Sequence, residues 1–238
     1  MKPPLIERGF ELIEQLGRVG SRYILDSFLQ KGCAVCDRAA AQPFCIDCQR
    51  QLQAHINSYR PKSIASPFPT EALGAYDGAL KRAILALKYE DRPKTAQFLG
   101  AELARKWMKA LDPAKMKQIC VVPIPLHTDR QRQRGYNQAA LLAQSFCQIS
   151  GLRLLENGLV RSQSTVPQHQ LGLEARQQNL SGAFEVGRSL QRLKVKTDAV
   201  DVLLIDDIYT TGVTVHNAAE TLARAGISTI GVVVVARA

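Results

Sequence analysis

Short apolar runs along this chain alternate with longer stretches in which apolar residues recur every three or four positions. The runs predict buried strands at 73–76, 119–123, 201–206 and 229–235. The helical spacing predicts helices at 77–88, 95–111, 138–149 and 214–225. Strands that alternate with helices form βαβ units, so we expect an α/β fold with a mostly parallel sheet flanked by helices.

The N-terminal third of the chain has a different pattern. Residues 1–31 predict one or two amphipathic helices with a break at 17–20, which pack on the cysteine-rich segment that follows or on the main domain. Docking of these helices to a membrane or to a partner is the alternative. Proline and serine at 57–71 predict a linker. The chain would then consist of an N-terminal module, 1–56, and a main domain, 72–238.

Four cysteines form two C-x2-C pairs, Cys33 with Cys36 and Cys45 with Cys48. Two such pairs offer four thiolates to one tetrahedral metal, a donor set typical of structural zinc without an open coordination position. The eight-residue spacer is shorter than usual for paired zinc knuckles, but a tight loop at Pro43 would close it. Redox or disulfide cysteines and an iron–sulfur centre are the alternatives.

The composition adds a charge bias to this picture. The 238 residues include 31 Lys and Arg against 21 Asp and Glu, which gives a formal net charge of +10 at pH 7. Such a surface attracts polyanions, either phosphorylated metabolites or nucleic acid. No transmembrane run is visible, and charged residues such as Glu7 and Arg8 interrupt any signal-peptide core. We therefore expect a cytoplasmic protein without membrane insertion.

The most informative chemical signal follows the predicted strand at 201–206. Asp206 and Asp207 stand at the carboxyl end of this strand, where open α/β sheets bind their ligands. A small turn then leads into a helix, and the anion-binding candidates in it are Thr210, Thr211, Gly212 and Thr214. This pattern resembles the 5-phosphoribosyl-1-pyrophosphate (PRPP) signature of type I phosphoribosyltransferases. Ordinary capping of a strand-turn-helix connection is the alternative.

A second segment with anion-binding character lies between the strand at 119–123 and the helix at 138–149. Alternating arginines at Arg130, Arg132 and Arg134 offer guanidinium forks that grip phosphate oxygens. Asn137 caps the following helix or contacts ligand. In a phosphoribosyltransferase this is the position of the pyrophosphate loop. A solvated basic loop and a contact to a nucleic-acid backbone are the alternatives.

Taken together, these motifs resemble the ComF family, which includes GntX-type proteins, over nearly the whole chain. The resemblance is carried by the four cysteines, 87–89, 122–125, 134–138, Arg161, Thr165, Gln168, Arg176, Asn179, 183–184 and the loop at 206–214. It implies a phosphoribosyltransferase-like fold with an N-terminal zinc module. It also implies a role in DNA uptake, or in handling incoming single strands during natural transformation. A ComFA-type helicase or a recombination mediator is the partner that it implies.

The phosphoribosyltransferase resemblance also implies roles for individual residues. The threonine-rich turn would hold the 5-phosphate, Asp206 and Asp207 the ribose hydroxyls, one of them through Mg²⁺. Lys88, Arg130, Arg134 and Asn137 would lie on the pyrophosphate side; for Lys88, an exposed charge at a helix end is the alternative. The stretch 161–184 has no clean periodicity and fits a mobile loop, with Arg161, Gln168, Arg176 and Asn179 as its polar residues.

Two functions of different class follow from the sequence. One is a PRPP-binding protein of natural transformation, with single-stranded DNA as a further partner. The other is an active phosphoribosyltransferase of nucleotide or base salvage that uses PRPP and Mg²⁺. Stacking of single-stranded bases needs aromatic residues beside cations, and Tyr89 next to Lys88 and Tyr136 next to Arg134 are the candidates. The acceptor of a transferase reaction is not readable from the sequence.

Overall fold

The computed structural model describes residues 32–61, 66–109, 119–161, 183–197 and 200–238. The main sheet has five parallel strands in the order β1-β7-β6-β2-β3. These strands are β1 (Thr70–Ala75), β2 (Ile119–Pro123), β3 (Arg153–Leu154), β6 (Asp201–Tyr209) and β7 (Ser228–Arg237). Two short strands, β4 (Leu159–Arg161) and β5 (Phe184–Val186), form a separate antiparallel pair. The predicted α/β fold with a parallel sheet is confirmed.

Helices flank the sheet and connect its strands. Within the described ranges they are α1 (Ile46–Ser58), α2 (Gly78–Tyr89), α3 (Thr95–Met108), α4 (Thr128–Arg134), α5 (Gln138–Ser150), α6 (Arg188–Lys196) and α7 (Val213–Arg224). In the same ranges, no helix combines the length and the apolar character that a membrane span requires.

Both faces of the sheet are buried, which explains the continuous apolar runs of its strands. Successive side chains of a strand point to opposite faces, so Leu203 and Ile205 pack in one cluster, Val202 and Leu204 in another. The first cluster includes residues of α2, α3 and α5. The second includes residues of α6, α7 and the β4–β5 pair. The sheet is thus the middle layer of three.

The cysteine segment shares the first of these two clusters. Phe44, Cys48, Leu52 and Ile56 are buried in the same apolar cluster as the sheet residue Val233. Because α1 runs to Ser58 and β1 starts at Thr70, the described parts of the predicted linker lie between two packed elements. The division at 57–71 stays a prediction, as do the helices at 1–31, which lie outside the described residues.

Three helices of the structure were absent from the sequence prediction. The helix α4 buries none of its residues and α6 buries Leu190 alone, so neither carries the apolar periodicity on which such a prediction depends. In α1 the buried positions Cys48, Leu52 and Ile56 do recur every four residues. This four-residue spacing is a helical signal, but it overlaps the cysteine pattern of the same segment.

Candidate functional site

The chain order of the strands creates a crevice between β2 and β6. From β2 the chain moves to β3 on one side, and it later returns to β6 on the other side. The two strands pair only as far as Pro123 and Ile205, where the Ile124 amide donates to the Ile205 carbonyl at 2.8 Å. Such a reversal of strand order is where open α/β sheets bind ligands. Asp206 and Asp207 are the next residues of β6.

The two acids lie within a strand, whereas the sequence analysis predicted that the strand ends at them. Pairing of β6 with β7 continues past the last β2 contact, to Tyr209 opposite Arg237. Asp206 and Asp207 are therefore held by the sheet on one side and face the crevice on the other. Alternation along the strand places Asp207 on the α2 face and Asp206 on the face of the β4–β5 pair.

A buried ion pair joins the strand to α2. The Lys88 Nζ atom lies 2.7 Å from Asp207 Oδ1, and the two side chains are 15% and 5% exposed. Burial by itself lowers the pKa of Lys88, but the attraction of the Asp207 carboxylate outweighs it and raises that pKa. The second carboxylate oxygen, Asp207 Oδ2, is buried without a hydrogen-bond partner. An unsatisfied buried acceptor at a crevice is suited to a hydroxyl donor or a cation from a ligand.

The Asp206 carboxyl group is a weaker acid than an ordinary aspartate. Burial, and then the neighbouring charge of Asp207, raise its pKa from 3.8 to about 7. Lys88, the Asp207 amide and Arg161 act in the opposite direction without reversing the shift. The Asp207 amide donates to Asp206 Oδ1 at 2.8 Å. At neutral pH the ligand-free protein therefore contains a mixture of the protonated and ionised forms of Asp206.

The turn after β6 leads directly into α7. Gly212 has a φ of 76°, and a Cβ there would lie 2.2 Å from the Tyr209 hydroxyl oxygen, so a side chain does not fit. Thr210 and Thr211 are exposed, Thr214 is half-buried in the first turn of α7, and the positive end of the α7 dipole faces the same side. All six residues of the predicted PRPP loop thus lie in one continuous strand-turn-helix segment.

A cavity of about 460 Å³ adjoins the ion pair. Its lining residues are Lys88, Tyr89, Asp91, Arg130, Gln133, Arg134 and Tyr136. The Arg134 guanidinium lies 5.4 Å from the centroid of the Tyr89 ring, which is 72% exposed. The Tyr136 hydroxyl donates to the Leu87 carbonyl at 2.5 Å. Lys88 belongs to both the cavity wall and the ion pair, so it connects the cavity to the β6 acids.

The structure changes the description of the basic segment. Its arginines lie on the helix α4 rather than on a loop, and Arg130 and Arg134 face the cavity. The Asn137 side chain accepts from the Ala139 amide and donates to the Ile124 carbonyl. It caps α5 and fixes the backbone after β2, so both ends of its amide have structural partners.

The remaining predicted residues are described only in part. Arg161 ends β4 with its guanidinium 5.6 Å from the Phe184 ring centroid. Burial lowers the pKa of Arg161, Arg130 lowers it further, and Asp206 opposes both, so these charges act on one another. Gln168, Arg176 and Asn179 lie outside the described residues. Sequence reasoning missed Asp91 and Gln133 of the cavity, because neither belongs to a motif.

The four cysteines converge on one point. Their sulfur atoms all lie within 4.8 Å of one another, and Cys36 Sγ is 3.7 Å from Cys45 Sγ. Four ligands at the usual Zn–S length of about 2.3 Å would be about 3.8 Å apart, so the cluster fits a tetrahedral metal such as zinc. Arg38 donates to Cys36 Sγ at 3.3 Å and to Cys45 Sγ at 3.5 Å. The bond from the Arg38 side chain to Cys36, followed by one from the Arg38 backbone, lowers the pKa of the Cys36 thiol to about 6, which favours the thiolate that a metal requires.

The raised pKa of Asp206 predicts a pH-dependent stability. The folded protein retains a proton that the unfolded chain releases above a pH of about 4, so ionisation opposes folding increasingly up to about pH 7. Asp206→Asn removes this penalty and retains the acceptor for the Asp207 amide. We expect the gain in unfolding free energy to be about 2–3 kcal/mol larger at pH 8 than at pH 5.

Urea denaturation at the two pH values, without ligand, measures this difference. Asp201→Asn, at the start of the same strand, controls for the removal of one acidic group. A gain from Asp206→Asn that is equal at pH 5 and pH 8 would contradict the raised pKa.

Curated proteins of similar sequence carry names that concern DNA. The chain is 29% identical to the DNA utilization protein YhgH of Salmonella typhimurium over 205 residues, 84% of this chain and 87% of that protein. It is 28% identical to Competence protein F of Haemophilus influenzae over 226 residues, 92% of this chain and 94% of that protein. Competence protein ComFC of Bacillus subtilis is 25% identical over 156 residues, 63% of this chain and 56% of that protein.

No protein-family model matches the chain. The likeness to two of these relatives nevertheless extends over more than four fifths of each protein. The structure gathers the four cysteines into one cluster and the β6 acids, with Lys88, into another. This coverage and these shared names support the resemblance to the ComF family that the sequence motifs indicate.

Proposed function

We infer that this protein acts in DNA uptake during natural transformation, and that it binds PRPP or a related phosphoribosyl ligand at the crevice between β2 and β6. The names of the relatives support the first part, since they refer to competence and to DNA utilization. The buried pair of Lys88 and Asp207, with its unpartnered Oδ2 atom, is the observation that carries the second part.

Each part of PRPP would have a chemically suitable partner at the crevice. The turn from Thr210 to Thr214 and the N-terminus of α7 offer amides and hydroxyls to the 5-phosphate. Asp206 and Asp207 offer carboxylate oxygens to the ribose hydroxyls and to Mg²⁺, which supplies charge neutralisation for the pyrophosphate. Lys88, Arg130 and Arg134 supply the positive charge on the pyrophosphate side.

An active transferase of nucleotide or base salvage is the second candidate function. The cavity of about 460 Å³ favours it, because this space adjoins the proposed ribose site and has an exposed aromatic wall at Tyr89. In such a reaction the cations of the cavity would stabilise the departing pyrophosphate while positive charge develops on the ribose. The protein would then also require an acceptor with a nucleophilic nitrogen.

Contact with DNA is the other half of the proposal. The formal charge of +10 favours association with polyanions, and α6 concentrates part of that charge. This helix contains no acidic residue, and Arg188, Arg192 and Lys196 on it are exposed. We place the protein in the cytoplasm, where single-stranded DNA and a ComFA-type helicase or a recombination mediator would be its partners.

Calorimetric titration of PRPP with Mg²⁺ into the intact protein tests the ligand site. We expect binding that weakens at least about tenfold in the variant with both Asp206→Asn and Asp207→Asn, since each acid loses a charge-assisted contact. Asp129→Asn, an exposed acid on α4, is the matched control and should bind as the unsubstituted protein does. Failure of the intact, metal-loaded protein to bind PRPP would refute the ligand assignment.

Single-stranded DNA binding should be electrostatic in part and therefore salt-dependent. Replacing Arg188 and Arg192 by Gln should reduce the slope of log K against log salt by roughly 1.4, if each contacts one phosphate. Fluorescence anisotropy with a labelled oligonucleotide, at salt concentrations from about 50 to about 200 mM, measures the slope. Affinity that does not change with salt would exclude a phosphate-backbone contact at α6.

The cysteine cluster predicts about one zinc ion per chain. Cys48→Ser should release the metal and destabilise the module, because Cys48 is 2% exposed and also packs in the core shared with the sheet. Cys147→Ser, outside the cluster, should retain the metal. Elemental analysis and thermal unfolding measure the two effects, and unsubstituted protein purified without zinc or another metal would contradict the prediction.

A further inference from the structure

We propose that Arg92 is a positioning residue that fixes the wall of the ligand cavity to the four-cysteine module. Through Arg92, the metal state of the module would control how tightly the cavity binds its ligand. The ligand part of this proposal rests on the proposed function, in which the cavity and the β6 acids bind PRPP. The mechanical part rests only on contacts between the two regions.

Arg92 follows α2 and connects two distant parts of the chain. One Nη atom donates to the Gly32 carbonyl, and the other donates to Asp37 Oδ1 at 2.8 Å. Its side chain is 15% exposed, whereas that of Asp37 is 64% exposed. A mostly buried guanidinium that donates through both Nη atoms has one favoured orientation, and this orientation is less stable if either acceptor moves.

The position of Asp37 depends on the geometry of the first cysteine pair. Asp37 immediately follows Cys36, and its amide donates to the Cys33 carbonyl at 2.8 Å. Its φ is 58°, in the left-handed region that aspartate tolerates better than most residues. The Cys33 amide donates in turn to the Arg38 carbonyl at 2.8 Å, which closes the loop. A metal held by both cysteines would maintain this loop, and with it the Asp37 carboxylate.

The other end of the connection is the cavity itself. The last two residues of α2, Lys88 and Tyr89, and then Asp91 precede Arg92, and all three line the cavity. Lys88 is fixed by Asp207, while Asp91 adopts a φ of 49°. This short wall is thus held by the β6 acid at one end and by the cysteine module at the other.

Release of the Arg92 side chain would leave the wall held by the Lys88–Asp207 pair and by the start of α3, where the Arg92 carbonyl accepts from Thr95. The backbone at Asp91, an exposed residue in the left-handed region, would then sample other conformations, because a contact that fixes the next residue has been lost. Tyr89, with the Arg134 guanidinium against its ring, would move with it. Displacement of a cavity wall by about 1 Å is enough to weaken binding severalfold or more.

Arg92→Lys tests the connection, because lysine retains the charge but cannot reach both acceptors at once. Arg82→Lys is the matched control: Arg82 lies 3.9 Å from the same carboxylate, but from an exposed position on α2. We expect Arg92→Lys to retain its metal, to bind PRPP about tenfold more weakly, and to exchange the amides of residues 88–92 faster. Arg82→Lys should match the unsubstituted protein in all three measurements.

Asp37→Asn provides a second variant if Arg92→Lys folds poorly, since asparagine tolerates positive φ and retains an acceptor. Removal of the metal from the unsubstituted protein by a chelator should also accelerate exchange at 88–92. Unchanged exchange after chelation, or unchanged exchange and PRPP affinity in Arg92→Lys, would overturn the proposal. If the unsubstituted protein does not bind PRPP, the proposed function fails, while the exchange measurements still decide whether module and wall are connected.

Discussion

The buried pair of Lys88 and Asp207 is the constraint on which the site depends. It joins the end of α2 to β6 at the point where β2 diverges, and removal of either partner would leave an uncompensated charge in a poorly hydrated place. The pair also influences its neighbours, since Asp206 must ionise beside a carboxylate that is already paired. Burial of these charges costs several kilocalories per mole in lost hydration. Charges that are held at a crevice despite this cost are typical of binding sites rather than of structural cores.

The packing around this pair explains why its geometry can be maintained. The acids lie in a strand that pairs with β7 along its whole length, so the backbone beneath them is fixed by sheet hydrogen bonds. The cation comes from a helix whose buried residues, such as Ile84 and Leu87, are fully enclosed. Functional groups placed on regular elements are held more accurately than groups on loops. The threonine turn and the residues between α2 and Arg92 belong instead to connections between such elements.

The sequence was informative where hydrophobic periodicity or a local motif determined the outcome. The runs around Val122, Leu204 and Val234 identified the sheet, and the spacing of the cysteines identified their cluster. The extension of β6 beyond Asp207 was missed because it depends on pairing with β7, which no local pattern encodes. The Arg92–Asp37 contact joins residues 55 positions apart, so it was equally inaccessible. Sequence reasoning also placed Lys88 near phosphate without revealing its carboxylate partner.

The common core of the cysteine module and the sheet limits how this protein can evolve. Phe44 of the module meets Phe98 of α3 edge to face, with ring centroids 5.3 Å apart, and Leu52 is completely enclosed. A module of this kind is not an interchangeable cassette, because its excision would expose the apolar underside of α2 and α3 to water. A substitution on one side of this shared core would require a compensating substitution on the other side. Lineages that lose the cysteines would therefore be expected to rebuild the adjoining helices as well.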